Sequence, residues 1–106
     1  MFFILLAHDK PGSLEIRRQT KQRHMAHLDA AAPSLRVLQS GPLLSSEGAE
    51  HGSLLVFEAP DAATVEAFAK RDPYVAAGLF ESYEIHPWAW RRGNPYLSDA
   101  ERSAKP

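Results

Sequence analysis

His24 and Asp72 are side chains of the types that can together move a proton. An imidazole beside a carboxylate acts as a general base near neutral pH, because the carboxylate fixes the ring tautomer and stabilises the imidazolium. Such a pair could serve an elimination or an isomerisation. Spacing alone also permits a purely structural interpretation, in which Asp72 caps a short helix and His24 packs at a helix border.

The segment around Asp72 holds its carboxylate in a defined place. Pro73 disfavours helical geometry at the residue before it and suits the first position of a helix. Asp72 is therefore predicted to be the N-cap of a short helix that ends at Gly78. Tyr74 follows directly and could present its hydroxyl to the same cleft or pack in the core.

The histidine lies on a predicted helix that has Ser13 as its N-cap and ends near Ala32, before Pro33. Arg17 precedes His24 by seven residues, so it lies two turns away on nearly the same line. It could bind an anionic group of a ligand held above the imidazole. It could equally be a solvated or ion-paired surface arginine.

The inward side of this helix is predicted from its periodicity, which places His24 at the border between core and solvent. The predicted inward stripe is apolar at its ends and basic in its middle, and consists of Leu14, Arg18, Lys21, Met25, Leu28 and Ala32.

Two further histidines are candidates for the site. His8 ends the first predicted strand and could line the mouth of the cleft, although strand ends often carry polar residues for solubility alone. His27 shares a helix face with His24, but no third ligand has a recognisable spacing, so no metal site is predicted. The sequence also lacks a phosphate-binding loop or nucleotide fingerprint, and no cofactor is predicted.

Composition limits the class of protein. The chain has 106 residues, 44% of them hydrophobic, and a net charge of -1, which fits one globular domain and gives no reason to expect nucleic acid or an anionic membrane as a partner. There is no cysteine, so disulfides and thiolate sites are excluded. The apolar run 2–7 is too short to cross a bilayer. We interpret it as a strand of a cytoplasmic protein.

The predicted order of elements is strand, helix, strand, strand, helix, strand. The strands are predicted at 2–8, 35–39, 53–59 and 80–90; Gly41-Pro42 is predicted to end the second strand and residues 41–52 to form a loop. Asp61 is predicted to cap the second long helix, which ends before Pro73. The inward positions of that helix are predicted to be Val65, Phe68 and Ala69. This order is that of an α+β, ferredoxin-like βαββαβ fold, with two helices on one face of a four-stranded antiparallel sheet. The first and third strands should be central, because both are apolar on both alternating sets.

Helices can cover only one face of this sheet, so the other apolar face needs a different cover. A second copy of the chain is the simplest one, because a two-fold interface requires only one self-complementary patch. We therefore expect a homodimer packed sheet to sheet. Residues 1–90 should form the domain, and residues 91–106 a poorly ordered polar tail from which Tyr96 and Leu97 could dock.

Several segments together resemble the YciI-like, or YCII-related, family over about residues 1–90. They are Arg17 to Leu28 (RRQTKQRHMAHL), Gly41-Pro42-Leu43, the Asp-Pro-Tyr-x-x-Ala-Gly segment that begins at Asp72, and Ile85-His86-Pro87-Trp88. The resemblance implies a dimeric α/β barrel of ferredoxin-like subunits, related in architecture to muconolactone isomerases and small monooxygenases.

The resemblance also implies an active-site dyad, formed by a histidine on the first helix and the aspartate of the Asp-Pro motif. These are His24 and Asp72 here, with Arg17 at the matching arginine position. A family relative that dehydrochlorinates a chlorinated hydroxyhydroquinone indicates that such a dyad can support acid-base chemistry.

Two functional hypotheses follow. The first is a small cofactor-independent enzyme of lyase or isomerase type that acts on a small polar or aromatic molecule, with His24 as acid-base residue, Asp72 as its orienter and Arg17 as anion anchor. Tyr74 and His8 complete the predicted substrate-binding set. The second is a non-catalytic dimeric module that uses the same cleft to bind a small ligand. Whether His24 and Asp72 meet discriminates between them.

Overall fold

The computed structural model describes residues 1–31 and 33–96. Its elements are β1 (Phe2–Asp9), α1 (Leu14–Asp29), β2 (Arg36–Leu44), β3 (Glu50–Glu58), α2 (Ala62–Lys70), α3 (Pro73–Ala76) and β4 (Phe80–Trp88). Asp61 caps α2, as predicted, by accepting a hydrogen bond from the backbone N–H of Thr64 at 2.8 Å. Ser13 occupies the N-cap position of α1, but its hydroxyl donates to the carbonyl of Lys10 instead.

The four strands form one antiparallel sheet in the order β2-β3-β1-β4. The predicted ferredoxin-like α+β fold is confirmed, with β1 and β3 central. β4 is an edge strand, which is where Pro87 can be accommodated without loss of an interior hydrogen bond. The last strand ends at Trp88 rather than at Trp90, the predicted end.

One face of the sheet carries the core. Phe3 and Leu5 of β1 lie opposite Phe57 and Leu55 of β3, and all four side chains are buried. Helix α2 covers them with the residues predicted to face inwards, which are Val65, Phe68 and Ala69. Strand alternation therefore sends every second residue of the central strands into the core.

The hairpin β2–β3 is longer than the sequence indicated. Gly41 and Pro42 were predicted to end β2, but the strand continues through both to Leu44. Pro42 is tolerated because β2 is an edge strand. The predicted loop 41–52 thus shortens to a turn between Leu44 and Glu50, so residues 50–52 belong to β3.

Helix α1 ends at Asp29 rather than near Ala32, which lies outside the described residues, and it is rotated from its predicted orientation. Its buried residues are Arg17, Thr20, His24 and Leu28. Of the predicted stripe only Leu28 is among them; Met25, for example, is 48% exposed. The prediction was wrong because hydrogen-bonded polar groups, which apolar periodicity cannot represent, occupy this interface. In the described part of the chain, no helix combines the length and hydrophobicity that crossing a bilayer requires.

The second sheet face is partly covered by the segment that follows β4. Trp90 packs edge-to-face on Phe2, with 5.7 Å between ring centroids, and stacks on Trp88 at 4.8 Å. The hydroxyl of Tyr96 donates to the carbonyl of Leu38 on β2, at 2.6 Å. This segment therefore crosses from the β4 edge to the β2 edge, and Tyr96 docks as predicted. Leu97 and the remainder of the predicted tail lie outside the described residues.

Candidate active site

His24 and Asp72 are in direct contact. His24 Nδ1 lies 2.8 Å from Asp72 Oδ2 and 2.9 Å from Oδ1. The two residues are 7% and 6% exposed, and they meet because α1 packs against α3. An ionised carboxylate can only accept, so Nδ1–H donates and the unprotonated nitrogen of the neutral ring is Nε2.

Asp72 also caps α3. Its Oδ1 accepts a hydrogen bond from the backbone N–H of Tyr74 at 2.9 Å, and Pro73 occupies the first turn. The two roles that the sequence offered as alternatives, helix cap and histidine orienter, are thus filled by the same side chain. The cap hydrogen bond holds the carboxylate in place, which limits the positions that the imidazole can adopt.

Tyr74 holds the imidazole from a second direction. Its ring stacks on that of His24 with centroids 4.0 Å apart and an angle of 17° between planes. Burial raises the pKa of the Tyr74 phenol, although the nearby charge of Arg17 acts in the opposite direction. Tyr74 is therefore a neutral stacking partner that restrains the His24 ring.

Arg17 lies in the site, but its charge is already engaged. Its Nε and Nη2 donate to the two carboxylate oxygens of Asp9 at 2.8 and 2.9 Å, and Nη2 also donates to the Gly52 carbonyl and the Ser53 hydroxyl. Burial acts to lower the pKa of this guanidinium, but the hydrogen bonds and charge of Asp9 outweigh it and raise the pKa. Arg17 is ion-paired, as one interpretation held, yet it is only 3% exposed and so is not a surface residue.

Gly52 makes this arrangement possible. It pairs with His8 across the β1–β3 ladder, and a Cβ at its position would lie 2.4 Å from the carbonyl oxygen of Ala7. Only glycine therefore fits between the two strands without a backbone shift. The close approach sets the Gly52 carbonyl where Arg17 can bind it.

A cleft of about 250 Å³ opens beside the dyad, between α1 and the β2–β3 hairpin. Its lining comprises Arg17, Lys21, His24, Met25, Ser40, Gly41, Pro42, Glu50, Ser53, Leu55 and Tyr74. Among the described residues nothing hydrogen-bonds to His24 Nε2, and this atom is not one of the fully buried unpaired polar atoms. The free nitrogen of the imidazole is therefore open to a molecule in the cleft.

The structure brings four of the five predicted site residues together. His24 contacts Asp72 and Tyr74, and the Arg17 guanidinium lies 5.0 Å from the centre of the Tyr74 ring. His8 is not among the residues that line the cleft. His8 is exposed and, by strand alternation, points to the face opposite the buried Ala7.

Sequence reasoning missed several residues of the cleft. Lys21 was assigned to the core stripe, and Glu50 and Ser53 were placed in or next to a loop. Lys21 lies one turn before His24, a spacing that could have drawn attention to it. Nothing in the sequence marked Glu50, because its position depends on the hairpin being longer than predicted. Among residues 1–31 and 33–96, no three His, Asp or Glu side chains gather in a way that could hold a metal ion.

Comparisons with known proteins agree with this fold. A solved structure with a TM-score of 0.74 is 5-chloro-2-hydroxyhydroquinone dehydrochlorinase from Burkholderia phenoliruptrix AC1100 in complex with 2,5-dihydroxybenzoquinone; it is 29% identical, and the match covers 84% of this chain and 94% of that one. SnoaB, a cofactor-independent oxygenase from Streptomyces nogalater, matches with a TM-score of 0.58 at 11% identity, which shows a common fold alone.

Sequence comparison identifies the family. Protein YciI from Escherichia coli O6:H1 is 31% identical over 94 residues, which cover 83% of this chain and 96% of the relative. An uncharacterized protein from Haemophilus influenzae is 28% identical over the same shares. Residues 1–89 match the YCII-related domain. The chain therefore belongs to the YCII-related family.

Proposed function

We propose that this protein is a small acid-base enzyme of lyase or isomerase type, in which His24 transfers a proton and Asp72 orients and stabilises it. The observation that carries this proposal is the 2.8 Å contact between His24 Nδ1 and Asp72, combined with an Nε2 atom that opens on the cleft. The substrate is a small polar or aromatic molecule of a size that a cleft of about 250 Å³ can hold.

The geometry explains how the imidazole would work. Because Nδ1–H is held by Asp72, the lone pair of Nε2 points away from the carboxylate and towards the cleft. When Nε2 takes a proton from the substrate, the ring becomes an imidazolium whose charge lies against the Asp72 carboxylate, which lowers the cost of forming it. Stacking on Tyr74 keeps the ring in this orientation through the transfer.

The dehydrochlorinase supports the reaction type. A dehydrochlorination removes one proton and one chloride from its substrate, and the proton needs an acceptor. That enzyme is 29% identical to this chain and shares its fold over most of both proteins. A proton acceptor in a cleft beside the first helix is what the present structure offers.

Activity can be tested with 5-chloro-2-hydroxyhydroquinone, by measuring chloride release under anaerobic conditions. We expect the wild-type protein to release chloride, and His24→Gln to be slower by roughly 10²- to 10⁴-fold, the usual contribution of a general acid-base group. His51→Gln is the matched control, because His51 is exposed on β3 and does not line the cleft.

Equal rates for the wild type and His24→Gln would contradict the proposal. Binding of the compound without turnover, and equally in both proteins, would favour the alternative of a non-catalytic ligand-binding module.

We also propose that the sheet face opposite the helices pairs with a second copy of the chain. Ile4 and Leu6 of β1 are only partly buried on this face, and the neighbouring Leu54 is 38% exposed. A chain in water gains from covering such an apolar strip, and a two-fold axis lets the strips of two copies cover one another.

Sedimentation at micromolar concentration should give a dimer for the wild type and a monomer for Leu54→Lys. Leu44→Lys, at an exposed position near the end of the hairpin, is the control; a monomeric wild type would contradict the dimer.

A further inference from the structure

The cleft and the groups bound to its walls carry more negative than positive charge. The cations are Arg17 and Lys21, and the carboxylates are Asp9, Asp72 and Glu50, so the sum is -1 when His24 is neutral. Arg17 is offset by the two-point contact with Asp9, at 2.8 and 2.9 Å. The residue expected from sequence to bind an anion is therefore already bound to one.

Among the described residues, Glu50 is the carboxylate of the cleft that has no protein partner. Asp9 binds Arg17 and Asp72 binds His24, whereas the Glu50 side chain makes no hydrogen bond or ion pair with any residue in 1–31 or 33–96. A half-buried charge without a protein partner must be solvated by water or by a ligand. It is thus an acceptor that remains available in the cleft.

The position of Glu50 places it across the cleft from the imidazole. It is the first residue of β3, on the hairpin wall, whereas His24 projects from α1 on the other wall. Glu50 also lines an adjoining cavity of about 430 Å³ that continues past Arg17, Arg18 and Lys21 towards Gly48. Arg18 is itself ion-paired with Glu15, at 3.4 Å. A molecule between the two walls would therefore have His24 at one side and Glu50 at the other.

The negative charge of Glu50 acts on ionisable groups inside the site. After the larger effects of burial and of nearer partners, it contributes to raising the pKa values of both Arg17 and Tyr74. Lys21 is the remaining unpaired cation among the described cleft residues and lies on the wall of α1.

We infer that Glu50 accepts a hydrogen bond from a hydroxyl group of the substrate, so that the cleft selects neutral, hydroxyl-bearing ring compounds over carboxylates. This inference rests on the proposed function for the assignment of the cleft as substrate site. An ionised carboxylate can only accept, and its hydrogen bonds to hydroxyl donors are among the stronger ones in proteins. A substrate carboxylate at the same place would instead meet the like charge of Glu50.

A matched pair of ligands tests this selection. Hydroxyhydroquinone and 2,5-dihydroxybenzoate share a hydroquinone ring and differ in carrying a hydroxyl or a carboxylate at the neighbouring carbon. Their dissociation constants are measured anaerobically, by NMR titration of the full-length protein, for the wild type, Glu50→Gln and Glu47→Gln. Glu47 lies in the exposed turn of the same hairpin and is not a cleft residue, so its variant is the control.

The wild type should bind hydroxyhydroquinone more tightly than the benzoate, by roughly 10- to 100-fold, the range set by one hydrogen bond to a charged group. Glu50→Gln should weaken binding of hydroxyhydroquinone and strengthen binding of the benzoate, so that most of this preference is lost. Glu47→Gln should keep it. Glu50→Asp retains the charge and should keep a larger preference than Glu50→Gln.

Two outcomes would overturn the inference. One is a wild type that binds the benzoate as tightly as the hydroxyl compound, and the other is a preference that Glu50→Gln leaves unchanged while its NMR spectrum shows a folded protein. Because the readout is equilibrium binding, it is separate from the chloride-release assay. A ligand preference that depends on Glu50, in a protein that releases no chloride, would support this inference and contradict the proposed enzyme. Chloride release by a protein whose ligand preference does not depend on Glu50 would support the enzyme and contradict this inference.

Discussion

Asp72→Asn separates the charge of Asp72 from its function as a helix cap. Asparagine caps helices about as well as aspartate, so the hydrogen bond from the Tyr74 N–H should survive the substitution. That N–H is a donor and requires an oxygen, which fixes the amide orientation with Oδ1 towards Tyr74. The amide nitrogen then takes the place of Oδ2, 2.8 Å from His24 Nδ1.

This orientation reverses the polarity of the contact with the imidazole. Nδ1 lies 2.8 Å from the position of the amide nitrogen and 2.9 Å from Oδ1, so a proton on Nδ1 would face the amide hydrogens. We therefore expect Nδ1 to become the acceptor from the amide and the ring proton to move to Nε2. His24 then presents an N–H to the cleft instead of a lone pair. It can no longer take a proton there without losing its orienting hydrogen bond.

Two magnitudes follow from these contacts. Catalysis should fall by roughly 10²- to 10⁴-fold, because the general base is held in the wrong tautomer. The free energy of unfolding should fall by about 1.5–3 kcal/mol, the range for a hydrogen bond to a charged group. Asp72→Ala should cost about 1 kcal/mol more, since it also removes the cap.

Long-range ¹H–¹⁵N correlation spectra of the His24 ring give the direct readout, because they distinguish a protonated from an unprotonated ring nitrogen. In alkaline solution, where imidazoles are neutral, the wild type should carry its proton on Nδ1 and Asp72→Asn on Nε2. Asp61→Asn, a cap of α2 away from the cleft, serves as control. An unchanged His24 tautomer in a folded Asp72→Asn protein would refute the reasoning.

Three further predictions concern stability. Gly52→Ala should cost about 1–3 kcal/mol in urea unfolding, because the new methyl group would lie against the backbone oxygen of Ala7, and an unaltered midpoint would show that the strands can separate freely. Arg17→Met should cost about 3–5 kcal/mol of stability, because it leaves the Asp9 carboxylate buried and unpaired. Adding Asp9→Leu should restore much of that loss. A double variant less stable than both single variants would contradict this. Burial raises the pKa of Tyr74, so the folded state keeps a proton that the unfolded state releases above about pH 10. The free energy of unfolding should therefore fall as pH rises through the folded pKa. Tyr74→Phe should flatten that fall in unfolding curves measured at alkaline pH.

The local sequence was sufficient to predict the structure of the segment around Asp72. Pro73 and Gly78 bracket a four-residue helix with Asp72 as its cap, and Gly78 has the positive φ, +74°, that glycine adopts without strain. The central position of β1 and β3 was also predictable, since both strands are apolar on both alternating sets. These features depend on residues adjacent in the chain, where steric and hydrogen-bonding preferences act directly.

The orientation of α1 could not be predicted in the same way. Apolar periodicity favoured Leu14 and Met25 as core residues, yet both are exposed, and Arg17 and His24 are buried instead. A polar side chain can be buried when its hydrogen bonds are satisfied, and the partners of these two residues come from β1, β3 and α3. Those partners are known only once the chain has folded.

The sequence by itself determined the fold class, the capped segment at Asp72 and the residue types of an acid-base pair. Only the tertiary structure decided that His24 and Asp72, 48 residues apart, lie 2.8 Å from one another, that Asp9 takes the charge of Arg17, and that Glu50 faces the cleft. The physical reason is range: caps, turns and strand alternation are set by neighbouring residues, whereas ion pairs and clefts depend on which distant surfaces pack together.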